Sequence, residues 1–350
     1  MNICFFGIYK SNDLRLNFLT REWKNFGINI IECRSGQAGL KKYWELIVKY
    51  WRLKKDFKII FIPFPGYQAA VLAGILSRKP IIFDAFNSIY DSAVCDRRQV
   101  KQGSFKAKYY FILNKLACQF ADIIILDTRE HIKYFIETFK IKPAKFRQLW
   151  AGSDDRIFYP RDEDHAPGNF NVYWHGTFIP LHGIEYILQA AKILANETIT
   201  FNLVGNGQTF SAMNALKEEL NLTKVNFIAS NKAEKLADLM NEADLCLGIF
   251  GSTPKAARVI PFKVFDALAM AKPVLTGNSP AIQELLKNEA SVLLCNPADP
   301  KDLAEKILIL KNDPVLRKKI AQNGYEIFQK KLSVRILSAR LWEIISERLQ

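Results

Sequence analysis

Short buried-looking apolar runs alternate with stretches whose apolar residues recur at helical spacing, and this beat continues along the whole chain. Residues 2–9 (NICFFGIY) read as a strand. Residues 12–26 follow as a helix carrying Leu16, Leu19, Trp23 and Phe26 on one face. Gly27 closes that helix and residues 28–31 begin a second strand, which makes a βαβ opening with a parallel sheet. Strands are expected again at 58–63, 79–84, 121–126 and 146–150, with helices at 69–76 and 105–120 between them. Asp127 or Thr128 suits the cap of a further helix, which makes His131 a first-turn surface residue rather than a catalytic base. The polar, basic stretch 91–108 reads as a mobile loop over a cleft.

The beat restarts after 159–169 (YPRDEDHAPGN), a charged, apolar-poor stretch that sets the domain boundary at 163/164. Strands follow at 170–174, 198–204, 225–229, 243–248 and 274–276, with helices at 184–194, 210–220 and 232–241. In the tail, Leu303, Ile307 and Leu310 face inward and Asp313-Pro314 breaks the run. A last amphipathic helix, about 333–350, is anchored by Trp342, Ile345 and Leu349.

Candidate chemistry lies where these strands end. In an open parallel sheet, ligands bind beyond the carboxyl ends of the strands. Gly176 with Thr177, and Gly205 with Gly207, occupy such ends and permit close backbone approach to a phosphate or ribose. The stretch 255–285 places Pro261 at the start of a helix, Phe262, Phe265, Leu268 and Ala269 on its apolar face, and Arg258 and Lys263 around its N-terminus. Such a terminus can hold a phosphate, with Asp266 one turn further in for sugar hydroxyls. A packed βαβ unit with surface lysines is the plainer reading of the same residues. Asp84, with Asn87 and Ser88, ends another strand; it reads as a substrate-facing acid or as the cap of a turn.

Composition narrows the partners. The chain has 350 residues and a formal net charge of +14. Residues 1–160 hold 27 Lys/Arg against 14 Asp/Glu, whereas 161–350 hold 22 against 21. The basic half suits an anionic surface or substrate. Residues 41–58 interleave Tyr43, Trp51 and other aromatics with lysine and arginine. That is the make-up of an interfacial helix on anionic lipid, or equally of an amphipathic helix covering the sheet. The start of the chain lacks the basic n-region of a signal peptide, and no apolar run is long enough to span a bilayer. Six scattered cysteines read as reduced thiols in a cytoplasmic protein, with no metal site.

Residues 173–191, 201–207, 241–249 and 258–275, with the G-S-D-D-x-x-F-x-P run ending at Pro160, resemble glycosyltransferase family 4. The resemblance implies an α/β fold of GT-B architecture, two Rossmann-like domains facing a central cleft. The N-terminal domain (1–163, with the last helix packing back on it) would bind the acceptor and 164–332 the nucleotide sugar. It implies retention at the anomeric carbon without metal or other cofactor. The donor, a UDP- or GDP-sugar, is itself a substrate, and its diphosphate is carried by cations and helix termini.

By the same resemblance, Lys263 and Arg258 are the diphosphate cations and, with Asp84, the catalytic candidates; Asp266 takes the ribose. Gly176, Thr177, His182, Gly205, Gly207 and Val264 complete the donor site. Several positions depart from the family pattern. Arg258 stands where an acid is common, Thr177 and His182 where Arg and Lys are common, and Phe86 where a His is common.

The expected partners are a nucleotide sugar, a lipid-linked or polysaccharide acceptor, and an anionic membrane surface through 41–58 at the inner face. Nucleic acid is not expected. The alternatives are a nucleotide-sugar epimerase of the same fold and a non-catalytic binder of anionic lipid or nucleic acid.

Overall fold

The computed structural model describes residues 1–9, 14–161, 168–229 and 232–348. The chain divides into two compact units, Met1–Trp150 with Val334–Gln350, and Ala151–Ser333. The division therefore falls at 150/151 rather than 163/164. Of the apolar-poor stretch 159–169, Tyr159, Pro160, Gly168 and Asn169 are exposed within the second unit, and 162–167 lie outside the described residues.

The first unit is built on six parallel strands: β1 (Asn2–Gly7), β2 (Asn29–Arg34), β3 (Ile59–Ile62), β4 (Ile81–Asp84), β5 (Ile123–Leu126) and β6 (Phe146–Gln148), in the order β2-β1-β3-β4-β5-β6. Its central strands are apolar throughout because alternate residues enter different cores. Cys4, Phe6, Ile60, Ile62 and Ile124 face one layer, which holds the helices Lys41–Leu53, Tyr67–Leu76, Phe105–Phe120 and Arg129–Phe139. Ile3, Phe5, Ile59, Phe61 and Ile123 face the other, which holds Leu14–Thr20 and Val334–Ser346. Trp23 is fully buried there, edge-on to Phe5 with ring centroids 5.7 Å apart. The final helix contributes Leu337, Leu341, Ile344 and Ile345 to this core. Trp342 packs against it half-buried, and Leu349 lies outside the described residues.

Three expectations change here. The helix expected over 12–26 is Leu14–Thr20 followed by a tighter turn, Arg21–Lys24, which leaves Phe26 exposed; Asn12 lies outside the described residues. The stretch 91–108 is not a loose loop. Asp91–Asp96 is a helical turn, and Val94 and Val100 pack with Ala107 of the next helix. His131 is fully buried rather than on the surface. The Thr128 hydroxyl caps its helix by accepting from the His131 N–H at 3.0 Å, and the imidazole turns inward to Asp127, Nδ1 to Oδ1 2.8 Å.

The second unit carries β7 (Phe170–His175), β8 (Ile199–Val204), β9 (Val225–Ile228), β10 (Leu245–Leu247), β11 (Val274–Gly277) and β12 (Leu293–Cys295), all parallel, in the order β12-β11-β10-β7-β8-β9. Strand β12 is additional to the strands expected from the sequence. Counted from β9, this is the doubly wound order in which strand succession reverses between β7 and β10. Both units are thus Rossmann-like α/β domains. Among the described residues no helix is long and apolar enough to cross a membrane.

Candidate functional site

The reversal between β7 and β10 puts two strand ends side by side. Beyond β7 the chain runs His175-Gly176-Thr177, and a turn at Pro180–His182 follows. Beyond β8 it passes through Gly205 and Gly207. A side chain at Gly205, whose φ is +143°, would bring its Cβ within 1.9 Å of the Gly176 carbonyl oxygen, so the two turns touch backbone to backbone. The Gly176 N–H donates to Val204 O at 2.9 Å, which locks the β7 turn to the end of β8.

The helix Phe262–Ala269 brings Lys263 and Asp266 to this place. Pro261 is its cap rather than its first residue, and Phe262 is exposed rather than on the apolar face. Lys263 is buried, with its ammonium over the Trp174 ring at 4.7 Å and its side chain against Gly176. A Cβ on Gly176 would sit 3.2 Å from the Lys263 Nζ, so the glycine leaves space where the cation lies. Burial pushes the Lys263 ammonium down to about 7, with the Asp266 carboxylate opposing the shift.

His182 completes the cation's surroundings. Its Nδ1–H donates to the Thr177 carbonyl oxygen, and its Nε2 lies 3.3 Å from the Lys263 Nζ. Burial, and then the Lys263 charge, hold this imidazole well below its ordinary pKa. It is therefore neutral, and Nε2 accepts from the ammonium. Thr177 acts through its carbonyl, while its side chain is exposed. The two departures from the family pattern, Thr177 and neutral His182, thus adjoin the buried Lys263, whose helix supplies the cation there.

Asp266 is buried and held on both oxygens. Ser153 Oγ donates to Oδ1 at 2.5 Å, and His175 Nε2 lies 3.3 Å from Oδ2. Val264 enters the core, and its N–H donates to Pro261 O at 3.0 Å. Arg258 sits half-buried on the turn Ala256–Arg258 that leads to the helix. Lys255, buried at the start of that turn, is close enough for its charge to depress His182 as well.

Asp84 belongs to the first unit, at the end of β4 as expected. Arg15 Nε lies 3.5 Å from its Oδ2, both side chains being buried. The same guanidinium donates to Trp150 O at 3.1 Å and covers the Phe86 ring at 4.7 Å. Phe86 therefore has a structural use where the family pattern has a His. Among the described residues, no cluster of His, Cys, Asp and Glu has the make-up of a metal site, and all six cysteines are free thiols, with Cys95 exposed.

Cavities open in the second unit. One of about 250 Å³ lies between the ends of β10 and β11, lined by Gly251, Thr253, Ala257 and Ser279. Another, about 670 Å³, lies toward the β12 edge and touches none of Gly176, His182, Lys263 and Asp266. Sequence reasoning missed Ser153, Trp174, His175 and Lys255. Each adjoins a segment it had singled out, but strand alternation gives Trp174 to the core, and nothing in a lone Ser or His shows that it meets Asp266.

Residues 155–327 match the family model of glycosyl transferases group 1. An uncharacterised glycosyltransferase of Methanocaldococcus jannaschii is 25% identical over 67% of this chain and 61% of its own, so the match leaves over a third of that relative unpaired. An N,N'-diacetylbacillosaminyl-diphospho-undecaprenol alpha-1,3-N-acetylgalactosaminyltransferase of Campylobacter jejuni is 22% identical over 87% of this chain and 82% of its own. The structure of Anabaena HepE in complex with UDP-glucose superposes with a TM-score of 0.75 at 17% identity, covering 99% of this chain and all of that one. Residues 155–327 are thus similar to glycosyl transferases of group 1, and the chain as a whole has the GT-B fold of two Rossmann-like α/β domains.

Proposed function

We propose that the protein transfers a sugar from a nucleotide-sugar donor, bound by the second unit, to a lipid-diphosphate-linked acceptor, with retention of anomeric configuration and without metal, as family 4 enzymes do. The observation that carries this reading is Lys263, buried at a strand-order reversal with its ammonium against Gly176 and neutral His182. A diphosphate beside it would find a desolvated cation already oriented, which costs no reorganisation as charge builds on the leaving group. Arg258 is the second cation for that charge. Asp266, fixed by Ser153, accepts the ribose hydroxyls. The leaving diphosphate takes the acceptor's proton, so the protein supplies orientation and charge rather than a nucleophile.

A UDP-sugar is favoured as donor because the HepE structure that shares this fold is a UDP-glucose complex. The acceptor assignment draws on the Campylobacter relative, whose name specifies an undecaprenyl-diphosphate acceptor, and on the charge of the first unit. That unit holds 29 Lys/Arg against 14 Asp/Glu, while the second holds 20 against 21. We place its work at the inner membrane face.

A thermal-shift screen of nucleotide sugars tests the donor site. A ligand at about 100 times its dissociation constant stabilises by about 2.7 kcal/mol. Lys263→Ala is expected to abolish the shift and Asp84→Ala to preserve it in the second unit. The absence of a shift with every UDP-, GDP-, ADP- and CMP-sugar would sink the reading. A product bearing a new glycosidic bond, its anomer read by NMR, separates transfer from epimerisation.

A further inference from the structure

The helix Phe105–Phe120 buries Ala107, Leu113, Asn114, Ala117 and Cys118. Its opposite face is apolar as well: Phe105, Tyr109, Ile112, Leu116 and Phe120 are exposed, Phe105 to 92%. At about 100° per residue these five fall within an arc of about 80°, a continuous stripe along roughly 24 Å of helix. Lys106 flanks the stripe on one side, Lys108 and Lys115 on the other. Between 97 and 121 the chain has six Lys/Arg and no Asp or Glu. The neighbouring helices of the same layer add Ile75, and Trp44 and Trp51.

We infer that this helix face is a docking surface for an anionic lipid bilayer, the stripe entering the acyl boundary and the lysines meeting the headgroups. Scattered exposed apolar residues need no explanation, but a full-length stripe between cationic rows does. The charge decides the occupant. Two copies of this strongly positive unit would bring like charges together, whereas anionic headgroups complement every lysine at the rim, at about fivefold in affinity each. Lysine stems are long enough to run along the apolar stripe and leave their ammonium groups at headgroup depth. The helix has 16 residues and three lysines, so it lies in the interface rather than crossing it. This moves the main lipid contact from 41–58 to Phe105–Phe120. Residues 41–53 form a helix that gives Leu46 and Tyr50 to the core and only Trp44 and Trp51 to the periphery.

The test is co-sedimentation of the full chain with phosphatidylcholine vesicles, with and without phosphatidylglycerol. Binding is expected to the phosphatidylglycerol vesicles and to fall at least about tenfold in Ile112→Glu/Leu116→Glu, whose side chains are exposed. Lys106→Glu/Lys108→Glu is expected to weaken that binding while leaving the stripe intact. Val315→Glu, exposed in the second unit, is expected to change nothing. Unchanged melting temperatures establish that each variant is folded. Undiminished binding by the Ile112/Leu116 variant, equal binding of the native chain to neutral vesicles, or a lipid-free dimer that this variant dissolves would each overturn the assignment. The assay uses neither donor nor acceptor, so its outcome is independent of the proposed transfer.

Discussion

Lys263 is a cation held where water is scarce, and its titration reports on whatever anion it meets. An anion favours the charged form, so binding raises the pKa from about 7. Diphosphate affinity should be flat below about pH 7 and fall above it by up to about tenfold per unit, as binding begins to require proton uptake. Calorimetry in buffers of different ionisation enthalpy measures that uptake directly. Lys263→Arg, always charged, should remove the pH break. Stability without ligand runs the other way. Because folding depresses this lysine, its destabilisation is full below about 7 and relieved as pH rises toward its unfolded value, near 10.4. Asp266→Ala should weaken UDP binding but leave inorganic pyrophosphate binding nearly unchanged, since only the former offers a ribose. Asp84→Ala leaves the buried Arg15 guanidinium without that carboxylate. It should cost about 3–5 kcal/mol in urea unfolding of the first unit, with donor binding intact. Of these residues, Lys263 and Asp266 are readable in the sequence, because a Pro-led helix start after a Gly-containing loop is a local pattern. Their partners His175 and Ser153 are not, because tertiary contact alone brings them to Asp266.

Among elements, the glycine turns after β7 and β8 act as a single unit. Gly205→Ala would force a Cβ into the Gly176 carbonyl. The backbone must shift, and a loss of about 2–3 kcal/mol is expected, with weaker donor binding because Gly176 borders Lys263. Urea unfolding and a nucleotide titration of the same variant check both. Apart from β12, the parallel strands were legible to within about three residues at each end, since doubly buried strands are unbroken apolar runs bounded by turn residues. What the pattern misjudged were surfaces. His131 sits in a first helical turn, a position usually in water, yet its ring is drawn inward by Asp127. The basic stretch 91–108 looked solvated, although Val94 and Val100 suffice to anchor it. The helix Phe105–Phe120 was recognisable as a helix. That both of its faces are apolar appears only once the sheet has claimed one.

At the scale of the whole molecule, the charge surplus and the discontinuity belong to the same unit. The first unit takes its sheet from Met1–Trp150 and one of its covering helices from Val334–Ser346. Leu341 is fully buried in the core under that helix, and Leu341→Ala should cost about 2–5 kcal/mol and make this unit the first cut in limited proteolysis. The second unit is one uninterrupted segment. This asymmetry has a consequence for biosynthesis. On the ribosome, the sheet of the first unit emerges early, but one face of it is covered only by Leu14–Thr20 and the turn after it until Val334–Ser346 is made. Every residue of the second unit is made before that helix. Order of appearance and order of completion are thus reversed, and in the interval the apolar residues awaiting the final helix are open to chaperones, or to other nascent chains.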